Sequence, residues 1–153
     1  MTTETMTPAG LISVQAMTAR IACRWMSTRQ LEGMSDSIDR AARLSAGSHW
    51  ESKAAAHTEI FSLLGDATGY PALARLADVA TGWVHDVTLT VGSAADDIIL
   101  TSRRRLLRSL RLRDADGAGR EMEHHLQGLH DMWRLAGPAS RERPDLMIQA
   151  AAS

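Results

Sequence analysis

The sequence predicts an all-α protein, an antiparallel bundle of about six helices. The composition is rich in Ala, Leu, Arg and Met, with one phenylalanine, one tyrosine and only four prolines, a mixture that favours helix over strand. No segment alternates apolar and polar residues with period two. Signals for helix starts and stops recur along the chain at helix-length intervals.

The elements follow in order. A polar leader, 1–8, precedes a first helix over 9–26. Ser27 followed by Gln30, and Ser48 followed by Glu51, match the capping box in which a hydroxyl and a carboxyl or amide group satisfy free amides at a helix start. They predict helices over 28–45 and 49–67. In Thr68-Gly69-Tyr70-Pro71 a glycine suited to a left-handed helix end meets a proline suited to a first turn, so one helix stops and another runs over 71–91. Gly92-Ser93 and Asp114-Ala115-Asp116 give further breaks, bounding helices over 94–112 and 115–136. After Gly137-Pro138 the chain turns polar through Pro144, and 138–153 reads as a mobile tail. The expected organisation is one helical domain over 9–137 between a flexible leader and that tail, with 153 residues enough to bury a core unaided.

The bulk properties exclude several classes of protein. Cys23 is the sole cysteine, so neither an intramolecular disulfide framework nor a standard zinc module is expected. The start of the chain lacks the positive charge and apolar run of a signal peptide, and no apolar stretch approaches membrane-spanning length. A cytoplasmic protein without membrane contact is expected. A formal net charge of -1 argues against a chain built to coat nucleic acid.

Three helices place a charged or titratable residue inside an apolar stripe, where an aliphatic side chain would fit better. Arg103 shares a face with Ile99, Leu106, Leu107 and Leu110, while Arg104, Arg105, Arg108 and Arg111 turn outward. His57 shares a face with Lys53, Ile60, Phe61 and Leu64, and His125 with Met122, Leu126 and Leu129. A guanidinium cannot readily shed its charge, so a buried Arg103 calls for a carboxylate. Glu121 or Asp97 could supply it, as could a ligand; the histidines could be satisfied by backbone carbonyls.

The segment from Glu59 to Pro71, Glu-Ile-Phe-Ser-Leu-Leu-Gly-Asp-Ala-Thr-Gly-Tyr-Pro, resembles the "FHxxLxxATGNP" stretch of the FCD effector domain of FadR-type GntR regulators. The run from Arg103 to Asp116, followed by Met122-Glu123-His124-His125-Leu126, is similar to that domain's "HxxLLxALxxxDxxxA…MxxHL" ending. The resemblance spans about Leu11 to Gly137 and implies a bundle enclosing a central ligand pocket, homodimerisation and a role in transcription regulation. Many FCD domains bind a divalent metal through an Asp, a His four residues later and two further histidines. At those positions this chain has His57, Phe61, Arg103 and His125. Phe61 cannot ligate and Arg103 brings a permanent charge, so no metal cofactor is expected. Instead Arg103 stands in for the cation, and a small anionic organic ligand, a carboxylate, is expected on its planar fork with His57 and His125 adding hydrogen bonds. The family's winged helix-turn-helix has no counterpart in the short leader, so direct nucleic-acid binding is not implied, though a separate winged-helix regulator could be a partner.

Other signals are weaker. The arginines from Arg103 to Arg113 read as a solvated face rather than a phosphate track, since no aromatic residues interleave them. Asp114-Ala115-Asp116-Gly117 lacks the remaining ligands of a calcium loop and reads as a helix cap. Glu121, His124, His125 and His130 lack a zinc-protease pattern and read as surface or ion-paired groups. Trp25, Trp50, Trp83 and Trp133 read as core or interface residues, or as pocket lining with the methionines.

Three functions fit. The first is a sensing and dimerising module for a carboxylate. The second is a stand-alone enzyme, an isomerase, lyase or cyclase, with Arg103 anchoring an anionic substrate, His57 or His125 acting as acid or base, and Phe61 shaping the wall. The third is a structural partner of full-length relatives with a vestigial pocket.

Overall fold

The computed structural model describes residues 6–45 and 49–136, which form six α-helices and one 3-10 turn with no strand among them. The helices are α1 (Pro8–Trp25), α2 (Thr28–Arg43), α3 (Trp50–Ala67), α4 (Pro71–Val91), α5 (Asp96–Arg111) and α6 (Ala115–Leu135). The 3-10 turn, Ser93–Ala95, leads into α5.

The caps explain most of these bounds. Thr7 accepts a hydrogen bond from the Gly10 amide at 3.1 Å, and Pro8 opens α1. The Ser27–Gln30 capping box forms in both directions, at 2.8 and 3.1 Å. Ser48 lies outside the described residues; His49 precedes α3 without a side-chain cap. Asp114 accepts from the Gly117 amide at 2.9 Å, so the acidic turn there is a helix cap as expected. Gly69 takes φ 74° between α3 and α4, a left-handed conformation that glycine adopts without a Cβ clash. Two expected ends shift inward. α2 stops at Arg43 with Leu44 extended. α5 starts at Asp96 because Gly92 at φ 83° is followed by a tighter turn rather than by α-helix.

α1 lies inside the bundle, packed on α6 and also touching α3 and α4. Its Ala16, Ala19, Ala22 and Cys23 are buried, and small side chains let neighbouring helices approach closely. A ring of larger residues completes the core: Met26, Met34, Phe61, Leu64, Ile99, Leu106, Leu110, Met122 and Leu126. Each fully buried Leu or Met contributes about 2 kcal/mol through loss of hydrated apolar surface. The α5–α6 connection is tied back to α1 by Arg113, whose guanidinium donates to the Cys23 carbonyl at 3.0 Å. That carbonyl is one of the α1 C-terminal acceptors without an intrahelical partner. Trp25 is exposed, whereas Trp50, Trp83 and Trp133 pack against the core. Among the described residues no helix is long and apolar enough to cross a membrane.

Candidate functional site

The register of α5 fixes the site. Ile99, Arg103, Leu106 and Leu110 all turn inward, and Arg103 becomes the largest fully buried side chain, 2% exposed. Its Nε donates to the His57 carbonyl of α3 at 3.2 Å, and its guanidinium carbon lies 4.8 Å from the centre of the Phe61 ring. That placement gives a cation–π contact inside the protein, where desolvation strengthens it. Phe61 is completely buried, and His57 and His125 are 1% and 5% exposed. Arg103 thus joins α5 to His57 and Phe61 of α3, while His125 of α6 lies within range of the charges of Arg103 and His57 without a direct contact to them.

Arg103 does not find the acid expected of it. Among the described residues neither Glu121 nor Asp97 pairs with it. Burial pushes its guanidinium down to about 9, opposed by the charge of Glu121 at longer range; it remains protonated at neutral pH. Its Nη2 is buried without a hydrogen-bond partner.

The carboxylate at this seam is Asp96, half-buried at the start of α5, and it serves two other groups. Lys53 Nζ lies 2.8 Å from its Oδ2, and His57 Nε2 lies 2.7 Å from its Oδ1. Lys53 also donates to the Leu44 carbonyl at 2.8 Å, pinning the end of α2 to this polar seam. Burial raises the Asp96 carboxyl, but the hydrogen bonds and charges of Lys53 and His57 outweigh it and hold the acid below its ordinary value. Burial pushes the His57 imidazole down, joined by the charges of Arg103 and Lys53, against the raising pull of Asp96. A neutral His57 beside an ionised Asp96 must place its proton on Nε2, to donate. Its Nδ1 is then a bare acceptor, and that atom too is buried without a partner. Burial and the charges of Arg103, His57 and His124 push His125 well below the ordinary histidine range, and its Nε2 is a third unpartnered buried atom.

The sequence carried a signal for Lys53, on the same stripe as His57, but none that picked out Asp96. Of the four side chains only His57 and His125 offer an atom able to ligate a metal. Phe61 offers no ligand atom, Arg103 occupies the neighbourhood with a fixed positive charge, and His57 Nε2 is held by Asp96. No cluster of three or more His, Cys, Asp or Glu residues able to hold a metal ion stands among the described residues.

The family model described as the FCD domain matches residues 11–128. The chain belongs to the FCD-domain family. The match runs from α1 into the second half of α6 and takes in all four buried site positions and the Thr68-Gly69-Tyr70-Pro71 turn. FCD domains are the C-terminal effector domains of GntR-family regulators, so this is a GntR-type effector-binding domain. Comparisons with curated proteins and with solved structures find no match.

Proposed function

We propose that this FCD domain senses a small organic carboxylate that docks on Arg103 and completes the hydrogen bonding of His57 and His125, and that it does so as a homodimer. The observation that carries the reading is the unpartnered set: Arg103 Nη2, His57 Nδ1 and His125 Nε2 are all buried and lack partners. Leaving one such group unsatisfied costs about 1–3 kcal/mol, more when it is charged. A carboxylate answers the guanidinium directly, and a hydroxyl or amine on the same molecule answers the His57 lone pair.

The test is thermal unfolding and calorimetric titration with aliphatic and aromatic carboxylates and their matched uncharged amides. The acids raise the midpoint of the native chain and the amides do not. Arg103→Lys, which keeps the charge but loses the fork, weakens binding about tenfold. Arg103→Met abolishes the response, and an equal response from native and Arg103→Met proteins would overturn the reading.

One observation favours the enzymatic alternative. Asp96 orients His57 as a carboxylate orients a catalytic imidazole, leaving the Nδ1 lone pair available as a general base. In that reading Arg103 anchors the substrate and His57 abstracts a proton from the carbon beside its carboxylate. Deuterium incorporation at that carbon in D2O, lost in His57→Asn, distinguishes turnover from simple binding.

A further inference from the structure

Read along the chain, the arginines of α5 are a solvated face because no aromatic residue interleaves them. The fold supplies the aromatic from another helix. Arg104, Arg105, Arg108, Arg111 and Leu112 fall within an arc of about 120° along roughly 12 Å of α5, and all are exposed. Arg104, Arg108 and Arg111 also line one wall of a groove against α2, with Asp39 across it. Beyond Leu112, Arg113 donates to the Cys23 carbonyl at 3.0 Å and so holds the end of α5 against the end of α1. α1 ends in Trp25, 64% exposed. Arg24 beside it and Arg29 in the first turn of α2 are exposed as well.

The charge along this edge has one sign. No acid occurs between Pro8 and Leu31 or between Ile98 and Arg113. None of Arg24, Arg29, Arg104, Arg105, Arg108 and Arg111 forms an ion pair among the described residues. Asp114, next along the chain, is engaged as the cap of α6, and the acids Glu32, Asp36 and Asp39 belong to α2, across the groove. On a chain whose net charge is -1, cations are thus segregated rather than spread.

A fitting occupant repeats negative charge along the helix and offers a flat apolar face at one end. A lone inorganic anion answers one guanidinium only. An acidic peptide carries the charge but not the face. A single nucleic-acid strand carries both: phosphates for the guanidinium forks, and unpaired bases, any of which stacks on an indole. A duplex keeps those faces inside its own stack.

We infer that the α5 arginine row and Trp25 form a surface for single-stranded nucleic acid, independent of base sequence and spanning about four nucleotides. The surface is separate from the buried seam and does not depend on the carboxylate reading of it.

Fluorescence anisotropy of a labelled oligothymidylate titrated with the native chain, with Trp25→Leu and with Arg104→Gln plus Arg108→Gln tests it. Every changed residue is exposed, and circular dichroism checks that each variant folds. The native chain binds with a Kd of about 10–100 μM at about 50 mM salt, and log affinity falls against log salt with a slope of about -3. The double arginine variant halves that slope to about -1.5. Trp25→Leu weakens binding about tenfold at an unchanged slope, and the same substitution leaves binding of the matching duplex unaltered. Oligothymidylate also quenches the emission of the native chain but not of Trp25→Leu, since Trp50, Trp83 and Trp133 pack against the core. No binding at about 50 mM salt, binding indifferent to both variants, or an equal Trp25→Leu loss for strand and duplex would overturn the inference. So would a blue shift of Trp25 on phosphatidylglycerol vesicles with no response to oligothymidylate, which would assign the patch to an anionic membrane surface.

Discussion

Arg103 and Arg104 are neighbours on one helix, yet they live in opposite worlds. Arg104 stands exposed on the groove wall of α5, where water solvates it at little cost. Arg103, turned by about 100° of helix, is sealed among leucines, a phenyl ring and two neutral imidazoles. The same guanidinium thus costs almost nothing on one face and several kcal/mol on the other. The comparison teaches that helical phase sets the energetic meaning of a charge here. It also separates the two arginine populations by environment: one sealed in the core, the other solvated on the surface.

The sharpest way to break the comparison is to remove the acid that keeps the interior charges tolerable. Asp96→Ala leaves buried Lys53 without its carboxylate and His57 without its acceptor. A loss of about 3–5 kcal/mol in urea unfolding is expected; a loss under about 1 kcal/mol would show that solvent reaches the seam. The next largest effect has the opposite sign. Arg103→Met replaces a buried, incompletely bonded cation with an apolar chain of similar length, and ligand-free stability should rise by about 1–3 kcal/mol. A comparable loss would mean that Arg103 is held by its structural contacts alone.

Acid sharpens the contrast further. His57 and His125 have folded values below their ordinary one, so below about pH 6.5 the unfolded chain binds more protons than the folded one. Their stabilisation is complete above that value and is lost as pH falls through the range toward the folded values, by up to about 1.4 kcal/mol per pH unit for each histidine. Unfolding midpoints between pH 7 and about pH 5 check this, and His125→Leu should remove roughly half of the slope. The smallest effect belongs to the exposed face. Arg104→Met should change stability by no more than about 0.5 kcal/mol, and a larger change would place that residue in a network the structure does not show.

How much of this could be read from the sequence varies with the kind of feature. Helix starts at Thr28 and Pro71 were legible because capping and proline chemistry are local. The start of α5 was placed two residues early, because a 3-10 turn and the first turn of an α-helix share their sequence signals. The inward phase of His57, Arg103 and His125 was legible because one helical period spans each stripe. Their partners were not. Glu121 and Asp97 were the acids expected near Arg103, yet the acid at the seam is Asp96, and it pairs instead with Lys53 and His57. Asp96 and Asp97 are about 100° apart on α5, so a small error in where the helix begins is enough to exchange the half-buried acid for its exposed neighbour. Such pairings depend on how α3 and α5 pack, which no local pattern specifies.

The sharing of Asp96 has a further consequence. With both oxygens engaged, that single carboxylate balances one cation, Lys53, and leaves the charge of Arg103 uncompensated by any direct pair. The buried seam of Lys53, His57, Asp96 and Arg103 thus carries one positive charge without a direct counter-ion. For the carboxylate proposed above, one negative charge would bring the seam to parity, whereas two would overshoot and meet the low-dielectric penalty from the other side.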